Sequence, residues 1–210
     1  MSVSVSVPTK PAAKQALFNE RGLLDANIPD EAAIQTAMLR APDQSFAQWM
    51  EGRVARYATR RYDWDALKFQ ADYDPKYRRA QMRYMGTGGT GIAADSNTVP
   101  ASHFTFSTMV MPAGHEGPSH IHYDVEEVFF VMRGMMKVIC EKDGERWESV
   151  LKERDFMSVP PGVYREEINI GDEDALMCVM LGSPQPITPV YPPDSPLAKI
   201  KRNMATNTIK

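Results

Sequence analysis

His120 and His122 lie two residues apart, and Glu127 follows five residues later. On a strand, residues two apart project from the same face. Both imidazoles therefore point the same way, and a short bend before Glu127 lets a carboxylate meet them. Two nitrogens and an oxygen converging from a rigid sheet are what a protein uses to hold a divalent transition metal. Histidines that merely pack in a barrel are the weaker reading, because neutral imidazoles facing a pocket need partners. Gly114 and Gly134 bracket the unit where strands must turn.

The spacing Gly114, five residues, His120, one residue, His122, four residues, Glu127, six residues, Gly134 resembles the first cupin motif position for position. A second motif resembles the stretch from Arg154 through Asn169, with Pro160, Gly162 and Asn169 in the family's places. Two positions depart from the pattern. Arg154 stands where a glycine is usual, and Arg165 stands where the family usually has its third metal-binding histidine. The resemblance spans roughly residues 79 to 182. It implies an all-β fold, a cupin-type antiparallel barrel or jelly roll with a pocket at its centre, here with an N-terminal helical extension. Around the barrel over 79–182, apolar spacing and composition add a helical arm over 1–78 and a proline-rich arm over 183–210.

With Arg165 in the third histidine's place, the ligand set is His120, His122 and Glu127. Two histidines and one carboxylate favour non-haem Fe(II), because positions stay open for substrate and O₂. Zinc with an activated water would need the same three ligands, and manganese and nickel also suit them. Strand parity puts Arg165, Glu167 and Asn169 on one face, which in the family's register is the pocket. Arg165 there can hold a substrate carboxylate or enolate as a two-pronged partner. It can instead pair with Glu127 or Glu167 as an internal ion pair, leaving a metal-free barrel. Glu167 is also a candidate ligand. His115, in the loop before the motif, and Tyr164 are candidate proton carriers, although an idle surface role is commoner for a loop histidine. The expected pocket wall is apolar: Phe104, Phe106, Met109, Met111, Phe129, Val131 and Val138.

Such a pocket suits a small aromatic, phenolic ketone or β-diketone carrying an acidic oxygen. The resemblance implies a metal-dependent dioxygenase, most simply with Fe(II). The alternatives are an isomerase, lyase or hydrolase acting on an anionic small molecule, and a barrel that binds without catalysis.

The elements that position these residues follow from pattern. From His103 onward the chain alternates as short strands at 103–111, 119–123, 126–132, 135–141, 146–151, 156–159, 163–170 and 174–181, with Ala80 to Met85 as an earlier strand. The strand carrying Glu127 is apolar on both faces. If Phe129 and Val131 face the pocket, Val128, Phe130 and Met132 face outward and need cover, which predicts a homodimer or a covering helix. Upstream, helices are expected at 15–24 and from Pro29 to Pro42. A third should begin at Asp43 or Ser45, with Phe46, Trp49, Met50, Val54 and Tyr57 on its apolar side. Arg53, Arg56, Arg60 and Arg61 on the other side read as a solvated face. Residues 63 to 78 have no clean period and read as an irregular connection. Gly86 to Gly91 spells a dinucleotide fingerprint, but no helix or βαβ unit follows it, so a loop is expected.

Composition bounds the rest. A net charge of −3 over 210 residues gives no electrostatic case for nucleic acid or an anionic membrane. No apolar run is long enough for a membrane span, and MSVSVSVPTK lacks the layout of a secretory signal. Cys140 and Cys178 make no metal or redox spacing and fit buried thiols in a reducing compartment, so a cytoplasmic location is expected.

Overall fold

The computed structural model of the chain describes residues 39–86, 98–200, 202–203 and 208–209. The arm and helices expected before residue 39, and the glycine run beyond Gly86, lie outside them. Nine described strands build the barrel: β1 (Ala80–Met85), β2 (Thr105–Met111), β3 (Glu116–Ile121), β4 (Glu127–Arg133), β5 (Met136–Lys142), β6 (Glu145–Leu151), β7 (Phe156–Val159), β8 (Tyr164–Asn169) and β9 (Ala175–Leu181). They form two antiparallel sheets, in the orders β1-β2-β9-β4-β7 and β3-β8-β5-β6. Each strand lies within a few residues of its expected place, because turn residues punctuate the sequence between them. At Gly134 the backbone has φ +88°, and a Cβ would stand 3.0 Å from the Cα of Ala175. A glycine is therefore needed there on two counts.

The core lies between the sheets and is rich in methionine. Met109, Met111, Met136 and Met177 pack with Phe129, Val131, Val138, Leu151, Val159 and Val179. Unbranched thioethers fill the irregular space where the two sheets meet. On β4, Phe129 and Val131 are buried, while Phe130 and Met132 are 37% and 47% exposed, and Phe156 beside them on β7 is 62% exposed. The expected two-sided apolar strand is present, and its outer face is open.

Two upstream expectations change. The helix predicted to run from Ser45 past Tyr57 is only α1 (Phe46–Glu51). Ser45 and Gln48 form a reciprocal capping box, as the sequence suggests. Gly52 then ends the helix, and the chain is extended by Arg56. Phe46, Met50, Val54 and Tyr57 consequently form no buried stripe and remain exposed. By contrast, residues 63–78 are not irregular. They hold α2 (Lys68–Tyr73) and a 3₁₀ turn at Pro75–Tyr77. Lys68 and Asp72 pair on the outer side of α2, and Phe69 and Gln70 are buried on the inner side.

The proline-rich arm secures α2. The Tyr191 ring meets Phe69 edge-on at 6.2 Å, and Gln70 Nε2 donates to the Tyr191 hydroxyl at 2.6 Å. Val190 exchanges backbone hydrogen bonds with Ile121 at 2.8 and 3.0 Å. Among the described residues no helix is long and apolar enough to cross a membrane.

Candidate metal centre

The centre is built at an irregularity in β3. Gly117 pairs with Glu167 and His120 with Arg165, so three residue steps on β3 oppose two on β8. Pro118 lies in this bulge, where a missing N–H costs no ladder bond. Its carbonyl is 2.9 Å from His120 Nδ1. A carbonyl only accepts, so Nδ1 carries the proton and Nε2 keeps its lone pair for a ligand. Gly117 matters for a second reason. A Cβ there would collide with the Glu167 carboxylate.

Nε2 of His120 lies 3.6 Å, and Nε2 of His122 3.8 Å, from the same Glu127 oxygen, Oε2. The three candidate ligand atoms all fall within 4.8 Å of one another. The rings stand at 87° to each other with centroids 5.4 Å apart. All three side chains are buried. Burial pushes the His122 pKa down to about 3 against the pull of Glu127, so the imidazole is neutral at ordinary pH. Burial works to raise Glu127. The interactions with His120, His122 and Arg165 outweigh it and hold that carboxyl down to about 2. A carboxylate beside two imidazoles, with its Oε2 left without a hydrogen bond, is the donor set a divalent ion requires. The residues fit a metal.

Arg165 reaches the same oxygen from β8, with Nε 3.2 Å from Glu127 Oε2. It is 0% exposed, and none of its three guanidinium nitrogens has a hydrogen-bond partner of good geometry. Of the two roles open to it in the sequence, the structure displays the ion pair with Glu127. Arg165 does not line the cavity.

That cavity, about 60 Å³, is lined by His120, His122, Glu127 and Glu167 together with Met109, Phe129, Met177, Val179 and Leu181. The remaining wall comes from Leu67, Gln70, Arg79, Gln81 and Pro189, which lie outside β2–β9. Of the expected wall, Met109, Phe129 and Glu167 are in place. Val131, Val138 and Met111 lie deeper, in the core. Phe106 points away and meets Tyr84 at 5.8 Å, and Phe104 is 38% exposed just before β2. His115 is spent on the Arg78 carbonyl, 2.8 Å from its Nδ1. Tyr164 has the opposite parity to Arg165 on β8 and is not in the wall.

Sequence reasoning missed Leu67, Gln70 and Arg79 because the stretch before β1 shows no period, and Gln81 because nothing placed β1 against the pocket. The one available signal was a glutamine and an arginine set among aromatics that must be buried.

Residues 107–181 match the cupin domain family. That segment, a little over a third of the chain, is a cupin domain. The match stops short of β1 and of the segment carrying Arg79. Among curated proteins, none matches the chain in sequence. Peruvianin-I, a cysteine peptidase from Thevetia peruviana latex, is a similar solved structure. It has a TM-score of 0.52 at 13% identity, covering 70% of this chain and 80% of that one. Oxalate oxidase aligns with a TM-score of 0.45 at 20% identity over 54% of each chain, so the chain spans about half its length. Oxalate decarboxylase from Lactobacillus farciminis aligns at 0.45 and 16% identity, over 54% of this chain and 31% of that one. At these identities the likeness concerns the fold alone.

Proposed function

We propose that this cupin is a metal-dependent dioxygenase, with Fe(II) held by His120, His122 and Glu127, that cleaves a small chelating enolate with O₂. The observation that carries the reading is the buried triad, His120, His122 and an ionised Glu127 with their ligand atoms within 4.8 Å of one another. Fe(II) bound there would supply Lewis acidity and electrons for oxygen, with coordination positions to spare.

The chain's own groups do the rest. The Pro118 carbonyl fixes the His120 tautomer. Arg165 neutralises and orients Glu127 from outside the cavity wall. Met109, Phe129, Met177, Val179 and Leu181 exclude water from the reacting carbon. The cavity is small and open on one side, room for a two-oxygen chelating head beside the triad.

The test is oxygen uptake by anaerobically Fe(II)-loaded protein offered pentane-2,4-dione, acetoacetate and a phenolic ketone. Consumption of O₂ in step with loss of substrate, absent in His120→Ala, is expected. Turnover without O₂ would replace the oxygenase by a proton-transfer enzyme. Glu167 favours that second reading, because burial raises its pKa against the pull of His120, Arg79 and Arg165, which lets a cavity-lining carboxyl carry a proton.

A further inference from the structure

Arg79 sits immediately before β1, outside the segment that matches the cupin family. It is 4% exposed and lines the same cavity as the triad. Its Nη1 donates to Gln70 Oε1 at 2.7 Å and to the Tyr77 carbonyl at 3.0 Å. Gln70 is in turn tied to Tyr191. The guanidinium is thus held by α2 and the C-terminal arm, while its Nε has no partner. Its Nη2 comes within 3.5 Å of where a Cβ on Gly117 would be. The Glu167 carboxylate occupies that same corner, and its Oε1 also has no partner. Two charged groups, each more than nine-tenths buried and each with one polar atom left without a partner, therefore line one small cavity beside the triad.

The charges indicate what is missing. With Glu167 ionised, Arg79 and Arg165 balance Glu127 and Glu167; with Glu167 protonated, the arginines are already in excess. A divalent ion on the triad leaves a surplus of at least two positive charges in a buried space. A buried surplus of that kind calls for an anionic partner. An enolate supplies one negative charge and a carboxylate the second.

We propose that Arg79, and not Arg165, is the substrate-binding cation, so that the site takes a chelating dicarbonyl bearing a carboxylate, a β-oxo acid in preference to a β-diketone. This rests on the metal-centred reading above. The chelating head meets the triad, and the free carboxylate oxygen accepts from the guanidinium of Arg79. Gln70 and Tyr191 are positioning residues that hold the guanidinium in place.

Acetoacetate and pentane-2,4-dione have the same number of non-hydrogen atoms and differ in one carboxylate. Each is titrated calorimetrically, without oxygen, into Fe(II)-loaded protein and into Arg79→Gln. The expected result is a ten- to hundredfold loss of acetoacetate affinity in the variant, the size of a hydrogen bond to a charged group. Pentane-2,4-dione should stay within threefold, with iron content unchanged. Equal loss for both ligands, or none for acetoacetate, overturns the proposal. If Arg79→Gln does not fold, Arg79→Lys keeps the charge without the fork and should lose three- to tenfold for acetoacetate alone; no selective loss overturns it. If the parent takes up no metal, the dioxygenase reading fails by itself. Arg79 is then judged on metal-free protein, where acetoacetate binding that depends on Arg79, with pentane-2,4-dione silent, supports the assignment. Binding of neither ligand ends it.

Discussion

Replacing Glu127 by glutamine keeps its shape and removes its charge, which leaves Arg165 alone in the barrel. Arg165 is 0% exposed and has Glu127 as its ion-pair partner at 3.2 Å. At that separation an effective dielectric of about 20 gives an attraction of about 5 kcal/mol. Stranding a buried charge typically costs about 3–5 kcal/mol. Glu127→Gln should therefore destabilise the metal-free barrel by about 4 kcal/mol. For a chain of this size that is a fall in Tm of roughly 8–16 °C. Arg165→Met should cost about half as much, since the carboxylate it leaves can share a proton with an adjacent imidazole. The double variant should cost less than the two singles together by about 2–3 kcal/mol, the signature of a coupled pair. Metal should separate the singles further. A divalent ion replaces the missing positive charge in Arg165→Met and restores its stability, but it finds no anionic ligand in Glu127→Gln. Urea unfolding of the four proteins, with and without metal, gives all these numbers. A cost below about 1 kcal/mol for Glu127→Gln, with additive effects in the double variant, would refute the buried ion pair.

Three further outcomes are expected. His122 has a folded pKa of about 3 and an unfolded one near 6.5, so the unfolded chain takes up the extra proton between those values. The metal-free barrel should lose stability as pH falls from about 6.5, and His122→Gln should flatten the slope of unfolding free energy between pH 6.5 and 4.5. Arg154 has φ +72°, a left-handed backbone that costs an ordinary side chain about 1 kcal/mol. Arg154→Gly should gain about 0.5 kcal/mol after the added freedom of the unfolded chain, read from the urea midpoint. Phe130, Met132 and Phe156 on the outer sheet face should make the chain a homodimer by light scattering, and Phe130→Glu with Met132→Glu should give a monomer if that face is the contact.

The barrel was legible because its signals are local. Alternating strands, turn glycines and a histidine pair at strand spacing each depend on near neighbours. The departure at Arg154 was visible too, and the structure gives it meaning: the glycine-type backbone is retained and an arginine bears the strain. Arg165 was legible as a choice between substrate and ion pair. Choosing needed the cross-strand register that pairs it with His120 and brings it to Glu127. The upper wall was not legible. Leu67, Gln70 and Arg79 reach the cavity only because α2 is pinned by Tyr191, more than a hundred residues away in sequence. A six-residue helix held by a distant tyrosine leaves no period to read. The same reasoning explains the shortened α1, where one glycine outweighs an apolar spacing that tertiary packing does not use.

Metal content tests the central claim most directly. Untagged protein, loaded anaerobically with Fe(II) and desalted, is assayed by elemental mass spectrometry beside a His120→Ala, His122→Ala double variant. The account predicts close to one iron per chain in the parent and none in the variant. Failure of the parent to retain any divalent metal, with the fold intact, would contradict it and leave a barrel whose buried charges serve one another alone.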